Sequence, residues 1–187
     1  MTTQPDKTRR SKKKPDKKRL ILDAAARVVD EQGAGHLTID AVAASAGISK
    51  GGVLYHFPNK QTLLRGMLDQ VIESQKLRIE HNSRTRGGAH AHVTAVLQSL
   101  PKSEWTASLA ILAAAAEDPD LLQNARSYMR RVIDELSNEP HFADALMVIL
   151  AAEGLRIMDT LNLVPITAKE RSLLKAHLLE RAEQVSP

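Results

Sequence analysis

Apolar residues recur at helical spacing through almost the whole of this 187-residue chain, and no stretch of any length alternates apolar and polar residues as a strand would. The first helical stretch covers residues 18–32, where apolar positions fall at i, i+1, i+4 and i+5 before Gly33 and Gly35. Two shorter stretches follow, at residues 39–46 and 49–56. The pattern predicts an all-α protein that begins with three compact helices.

The second and third of these helices carry the signals of a helix-turn-helix. Thr38 and Ser49 can cap them, and Gly47 ends the second helix because glycine adopts the left-handed conformation at little cost. In a helix-turn-helix the second of the two helices lies in the DNA major groove. The spacing turns Val53, Leu54 and Phe57 inward and leaves the groove to the outward side chains: Lys50, Gly51, Gly52, Tyr55 and His56.

A long helix is predicted next, from a cap at Asn59 to about Arg84, where RTRGG breaks the pattern. At ~1.5 Å per residue it would span nearly 40 Å, enough to touch the DNA-binding unit at one end and a second domain at the other. Further helices are predicted over residues 89–100, 103–116, 118–136 and 142–161, and from a capping box at Thr167 and Glu170 onward.

Three fragments together, Gly47-Ile-Ser49-Lys-Gly51, Leu54-Tyr-His-Phe57 and Lys60, resemble the DNA-binding signature of the TetR family of bacterial repressors. The match covers about residues 18–65. Many members carry an aromatic residue at the position of Leu54, whereas here the tyrosine follows one residue later. The resemblance implies a dimeric, all-helical regulator that releases inverted-repeat operator DNA when a small molecule binds its C-terminal domain.

The expected organisation is therefore a disordered basic arm (1–17), a three-helix helix-turn-helix domain (18–62) and a helical effector-binding and dimerisation domain (63–187). The expected function is transcriptional regulation, with repression relieved by a small-molecule effector. Two alternatives stay open: a metal-responsive regulator and a DNA-binding protein without an effector.

Eight residues are candidates for contact with operator DNA. Lys60 would meet a phosphate as a point charge. Thr38 and Ser49 can offer hydroxyls or helix amides to phosphates, although they can equally serve only as helix caps. The remaining five belong to the recognition helix: Lys50, Gly51, Gly52, Tyr55 and His56.

The charge is concentrated at the N-terminus. Nine Lys and Arg against two Asp give the first 20 residues a net +7, which leaves −3 for the rest of a chain of net +4. Directly before a helix-turn-helix, such an arm is expected to touch DNA phosphates or the minor groove. A solvated tail without a partner is the alternative.

The last two predicted helices are apolar over most of their circumference, and such helices need cover on more than one side. Core packing accounts for part of that surface, and a second copy of the chain would cover the rest, as the family resemblance implies. The candidate dimer residues are Leu146, Leu150, Met158, Leu173, Leu174, His177 and Leu178.

An effector site between helices of the C-terminal domain would have apolar walls and few polar groups. By type and position the candidates are His92, Trp105, Leu109, Arg126, Tyr128, Met129, Phe142 and Met147. With two Tyr, two Phe and one Trp, the chain is not expected to form an aromatic cage for flat cations.

Other chemistry finds little support in the sequence. There is no Cys, and His90 and His92 diverge on a helix, so neither metal nor cofactor is expected. No nucleophile motif or phosphate loop indicates an enzyme. No apolar run approaches the ~20 residues that cross a membrane, and no secretory signal is recognisable, so we expect a cytoplasmic protein.

Overall fold

The structure is a computed structural model that describes residues 16–85, 87–98, 102–116 and 118–186, without the side chains of residues 102, 103, 105 and 106. The described part contains helices and no strand. The predicted basic arm falls almost entirely in residues 1–15, outside the description. The helices are α1 (Lys17–Gln32), α2 (Ile39–Ala46), α3 (Lys50–His56), α4 (Lys60–Ser83), α5 (Gly88–Leu97), α6 (Lys102–Ala115), α7 (Gln123–Leu136), α8 (Phe142–Thr160) and α9 (Ala168–Gln184).

The helix ends follow the capping signals in the sequence. The Thr38 hydroxyl accepts the Ala41 amide at 3.1 Å, and Gly47 closes α2 at φ 66°. Asn59 opens α4 in a reciprocal capping box with the third residue of the helix, and Thr167 does the same for α9. Because each cap satisfies amides that have no partner inside the helix, the boundaries are fixed locally.

Two predicted helices differ from those in the structure. The helix expected over residues 89–100 ends at Leu97, because Gln98 takes an extended backbone and its side chain donates to Asn82 Oδ1 at 3.3 Å. The helix expected from Asp118 starts instead with a 3₁₀ turn (Pro119–Leu122), and α7 follows it. The cap predicted at Ser103 lies outside the described side chains.

The three N-terminal helices do not stand apart from the rest. Helix α1 packs against α2, α4 and α6, and its inner residues Ile21, Ala24 and Val28 are at most 1% exposed. One continuous apolar core runs from α1 through α4 into α8 and α9. The domain boundary at residue 62 therefore stays a prediction.

Polar contacts along α4 tie it to its neighbours at two levels. In the middle of the helix, Gln70 Nε2 donates to Asp23 of α1 at 3.2 Å. Further along, the half-buried Arg78 guanidinium meets the Glu104 carboxylate of α6 at 3.0 Å. Helix α4 is thus the element shared by the N-terminal unit and the C-terminal bundle.

No helix in the described part is long and apolar enough to cross a membrane.

Candidate DNA-binding and effector sites

The outer face of α3 is open and carries most of the predicted DNA contacts. Tyr55 is 84% exposed, and its ring meets the half-buried His56 ring edge-on with centroids 5.0 Å apart. A Cβ added at Gly51 would have nothing within 4 Å. Val53 and Phe57 are buried as predicted, and Leu54 is half-buried. The outer face of α3 therefore presents backbone at Gly51, the Tyr55 ring and, at the start of the helix, the Lys50 side chain.

The two hydroxyls predicted to meet phosphate act as caps in this structure. Thr38 Oγ1 accepts from Ala41, and Ser49 Oγ accepts from the Gly52 amide at 3.1 Å. An oxygen that accepts one amide can still donate its own hydrogen, so capping and phosphate binding remain compatible. Lys60 lies in the first turn of α4 and is exposed to solvent.

Lys50 is already engaged by an acidic neighbour. Its Nζ lies 3.0 Å from Asp40 Oδ2, and both side chains are more than half exposed. Asp40 belongs to the first turn of α2, where the helix dipole favours an anion. A phosphate reaching Lys50 would compete with this carboxylate.

The recognition helix is anchored on α4 through one close contact. Phe57, which caps the C-terminus of α3, is 4% exposed. A Cβ at Gly66 of α4 would lie 2.7 Å from Phe57 Cε1 and 3.1 Å from Leu22 Cδ2. Only glycine allows the ring to approach α4 this closely, so Phe57 joins the end of α3 directly to α4.

The predicted dimer residues form part of an apolar surface on α8 and α9. Leu150, Met158, Leu173 and Leu174 are between 46% and 62% exposed. His177 is also exposed, whereas Leu146 is half-buried and Leu178 is half-buried against the core. We call the exposed set the α8–α9 face: Met147, Leu150, Ile157, Met158, Leu161, Leu173 and Leu174.

An apolar cavity of about 340 Å³ lies between α4, α6, α7 and α8. We call it the apolar cavity. Helix α4 contributes four of its lining residues, ending with Gln75. The complete lining is Leu68, Val71, Ile72, Gln75, Ser108, Ile111, Leu112, Leu122, Ala125, Tyr128, Met129, Leu150, Glu153, Arg156, Ile157 and Thr160.

Glu153 is the centre of a buried polar cluster at one wall of this cavity. Its carboxylate accepts from Gln75 Nε2 at 2.9 Å and from Arg156 at 2.7 Å, and His92 Nε2 lies 3.7 Å away. Burial alone would raise the pKa of Glu153, but the His92, Arg156 and Gln75 interactions outweigh it and lower that pKa to about 2. The cavity therefore contains one fixed negative charge, matched by the Arg156 cation.

A second cavity, of about 470 Å³, lies between α4, α5, α7 and α8, and we call it the polar cavity. Tyr128 lines both cavities. Burial and the nearby Glu153 and Glu135 charges raise the pKa of Tyr128 to about 12, so its hydroxyl keeps its proton at neutral pH. The lining is Lys76, Ile79, Glu80, Ser83, Gly88, Ala91, His92, Tyr128, Arg131, Val132, Glu135, Leu136, Glu139 and Ile149.

The predicted effector residues divide between these cavities and other places. Tyr128 and Met129 line the apolar cavity, and His92 lines the polar one. The Trp105 side chain lies outside the description. Four candidates line neither cavity: Leu109 and Phe142, which are half-buried, and Arg126 and Met147, which are exposed.

Sequence reasoning missed the polar cluster. A signal was available in Glu153 and Arg156, which interrupt the otherwise apolar α8. Gln75 gave no such signal, because glutamine is common on the outside of a long helix. No group of three His, Asp or Glu side chains able to hold a metal ion occurs among the described residues.

An exposed recognition helix in a helix-turn-helix, joined by a long helix to a helical body with cavities, defines a DNA-binding transcriptional regulator. Comparison with known families agrees. Residues 21–67 match the model of bacterial regulatory proteins of the tetR family, and residues 86–183, more than half of the chain, match the tetracyclin repressor-like C-terminal domain. The chain belongs to the TetR family, whose members are non-enzymatic DNA-binding regulators.

Individual relatives are distant. The nucleoid occlusion factor SlmA of Marinomonas sp. (strain MWYL1) is 32% identical over 69 residues, which cover 37% of this chain and 35% of that protein. The match thus spans about a third of the relative's length. A transcriptional regulator from Rhodococcus sp. Rha1 has the same fold, with a TM-score of 0.68, 20% identity and coverage of 90% and 95% of the two chains. The multidrug binding protein EbrR complexed with imidazole has a TM-score of 0.67 and 21% identity, and the match covers 89% of this chain and 95% of that one.

Proposed function

We propose that the protein is a homodimeric cytoplasmic repressor that binds an inverted-repeat operator and is released by a small, mostly apolar effector in the apolar cavity. The observation that carries this proposal is that α4 lines the cavity with Leu68, Val71, Ile72 and Gln75 while its start holds Phe57 behind the recognition helix. The helix that lines the proposed effector cavity therefore also contacts the end of the recognition helix.

In this proposal the two copies of the chain bind each other through their C-terminal bundles. The α8–α9 face leaves seven large apolar side chains between 39% and 62% exposed. A symmetric partner would cover this surface and set the distance between two recognition helices. Two such helices fit successive major grooves only when they stand about 34–36 Å apart.

The chemistry of the apolar cavity sets limits on the effector. Its walls are aliphatic except for Tyr128, Ser108 and Thr160 hydroxyls and the Glu153 cluster. A ligand that fits would bury an apolar body and offer one hydrogen-bond donor to the ionised Glu153. EbrR, which shares the fold, is a multidrug binding protein complexed with imidazole in its solved structure, and this supports a small-molecule role for the bundle.

The test is reciprocal competition. An operator is first selected from random DNA with the purified protein, and compounds are then screened for release of that operator. A true effector must lose affinity in the presence of operator by the same factor by which it weakens operator binding. Equal effector affinity with and without operator would refute the switch.

A cavity-filling variant locates the effector. Met129→Trp should occupy the apolar cavity, so that operator binding persists but the compound no longer releases it. Leu77→Trp is the control, because Leu77 is 59% exposed on α4 and lines neither cavity. Loss of the response in Leu77→Trp alone would place the effector elsewhere.

The DNA face is tested through salt. Lys60→Ala should weaken binding to all sequences about equally and reduce the slope of log K against log salt by roughly one phosphate contact. Lys169→Ala, at the exposed start of α9, should leave the slope unchanged. An unchanged slope in Lys60→Ala would remove this residue from the interface.

A further inference from the structure

His92 and Glu153 are a buried pair that stops short of a hydrogen bond. His92 of α5 is 3% exposed, and 12% of the Glu153 side chain is exposed. The two closest atoms, His92 Nε2 and Glu153 Oε1, lie 3.7 Å apart, which is beyond hydrogen-bonding distance. His92 Nε2 is buried and has no other hydrogen-bond partner within the described residues. The imidazole therefore stands beside a carboxylate with one nitrogen available to it.

The same carboxylate oxygen holds α4. Glu153 Oε1 accepts from Gln75 Nε2 at 2.9 Å, and Gln75 is 9% exposed. The other oxygen, Oε2, accepts from Arg156 Nε and Nη2 at 2.9 and 2.7 Å. Gln75 belongs to α4, His92 to α5 and Glu153 to α8. Glu153 Oε1 is therefore the atom on which these three helices converge.

Carboxylates outnumber cations around His92, so a further positive charge would balance them. Helix α5 packs on α4 and α8, and α7 faces His92 across the polar cavity. Arg78, also on α4, is paired with Glu104 of α6 at 3.0 Å. The other charged or titratable groups that these elements place around His92 are Lys76 and Glu80 from α4, Tyr128, Arg131, Glu135 and Glu139 from α7 and the residues after it, and Glu153 and Arg156 from α8. Among these, four carboxylates stand against three cations.

Helix α9 also packs on α5, but its polar contacts with α5 are made by other residues. Lys175 Nζ lies 3.4 Å from the Leu97 carbonyl oxygen. The Ser186 hydroxyl, just after α9, accepts the backbone amide of His90 at 2.9 Å, and His90 is the other titratable residue of α5. The charges closest to the His92 ring are therefore those of α4, α7 and α8.

Proton uptake by His92 would change how Glu153 holds α4. Histidine is the side chain whose charge ordinarily changes between about pH 5 and 8. Glu153 stays ionised over that range, because its neighbours lower its pKa to about 2. A protonated Nε2 would donate to Glu153 Oε1, and charge-assisted bonds of this kind are about 2.7–2.9 Å long, so the 3.7 Å gap would close by roughly 0.8–1 Å. We propose that His92 is a proton-dependent switch: its protonation draws Glu153 Oε1 toward α5 and weakens the hydrogen bond that holds Gln75 of α4.

The consequence for DNA rests on the proposed function, in which α4 joins the C-terminal bundle to the recognition helix through Gly66 and Phe57. A weaker Gln75 bond would let the part of α4 beyond Gly66 move, and the population competent to bind DNA would fall. Operator affinity should therefore decrease as the pH falls from about 8 to about 6.

Operator binding by the full-length protein at these two pH values tests the switch, at constant ionic strength because salt alone changes DNA affinity. His92→Gln keeps a polar side chain but cannot take up a proton, so its loss of affinity between the two pH values should be at least about fivefold smaller than that of wild type. Other histidines, such as His56 on the DNA face, are present in both proteins and cancel in this comparison. His81→Gln, at an exposed position in the last turn of α4, is the control and should behave as wild type. Equal losses in wild type and His92→Gln would overturn the proposal.

A second measurement needs no DNA. The side-chain amide signal of Gln75 in heteronuclear NMR should shift between the two pH values in wild type and stay in place in His92→Gln. Glu153→Gln should abolish the shift as well and serves if His92→Gln folds poorly; Glu31→Gln, at an exposed position of α1, is its control. A Gln75 signal that shifts equally in wild type and both variants would contradict the switch. A shift confined to wild type, in a protein that binds no operator at either pH, would support the switch and count against the proposed function alone.

Discussion

The DNA-binding unit and the C-terminal bundle treat their apolar residues in opposite ways. In α1 to α3 the large apolar side chains point inward, with Ile21, Val42 and Val53 fully buried, and Tyr55 is the strongly exposed exception. In α8 and α9 six large apolar side chains remain between 39% and 62% exposed, and Leu161, directly after α8, is 43% exposed. The large apolar side chains of α1 to α3 lie in the continuous core and leave the outer face of α3 open, whereas α8 and α9 keep an exposed apolar surface that the proposed partner would cover.

The two halves depend on different interactions. DNA binding by the exposed face of α3 depends on groove geometry and on charge, and salt weakens the charge contribution. Association through an exposed apolar face depends on the apolar area removed from water, which charge screening by salt does not weaken. Four predictions, from the largest expected effect to the smallest, examine this contrast.

Leu174→Glu attacks the uncovered face directly. A carboxylate buried without a partner in the dimer costs several kcal/mol, so the variant should sediment as a monomer and lose operator binding by more than about 100-fold. Its circular dichroism should stay helical. Leu77→Glu, at an exposed leucine of α4 away from α8 and α9, should remain dimeric. A dimeric Leu174→Glu would move the interface elsewhere.

Glu153 tests whether the bundle is held internally by its polar cluster. The pKa of Glu153 is lowered from 4.5 to about 2 in the fold, so ionisation contributes on the order of 3 kcal/mol above about pH 4.5. That contribution should disappear as the pH falls from about 4.5 toward 2. Glu153→Gln should flatten this dependence in denaturant unfolding series, and Glu31→Gln should not. A steep acid dependence in Glu153→Gln would assign it to other carboxylates.

Gly66→Ala tests the contact that joins the two halves. The added methyl would stand 2.7 Å from the Phe57 ring, so overpacking should cost about 1–3 kcal/mol despite the higher helix propensity of alanine. Gly51→Ala, which meets nothing within 4 Å, should instead gain up to about 1 kcal/mol. Thermal unfolding without DNA measures both. A stabilised Gly66→Ala would show that Phe57 moves freely.

Asp40→Asn should have the smallest effect. An exposed ion pair contributes about 0.2–1 kcal/mol, so stability should change little. Operator affinity should rise about two- to fivefold at low salt, because Lys50 is released and one anion near the phosphates is removed. Asp134→Asn breaks the exposed Arg130 pair on α7 and should leave operator affinity unchanged. Weaker binding in Asp40→Asn would mean that the carboxylate positions Lys50 for DNA.

The features that sequence predicted are those with local causes. Thr38, Gly47, Ser49 and Asn59 act on amides a few residues away, so the helix-turn-helix and the start of α4 could be placed closely. Contacts across the sequence could not. Gln75 reaches Glu153 across 78 residues, and the approach of Phe57 to Gly66 depends on how helices cross. For the same reason the effector candidates were scattered, since only packing decides which side of a buried helix faces a cavity.

The close approach of Phe57 to Gly66 also sets the angle between α4 and the recognition helix. From Gly66 to Gln75 is nine residues of α4, or about 14 Å of helix axis. A ligand that pushed the Gln75 end aside by about 1 Å would rotate this segment by roughly 4° around the Phe57 contact. In a dimer the two rotations are equal and related by symmetry, so the angle between the recognition helices would change by up to about twice that amount. Under the proposed function, an adjustment of about 1 Å in the bundle would therefore change the orientation of the recognition helices relative to DNA.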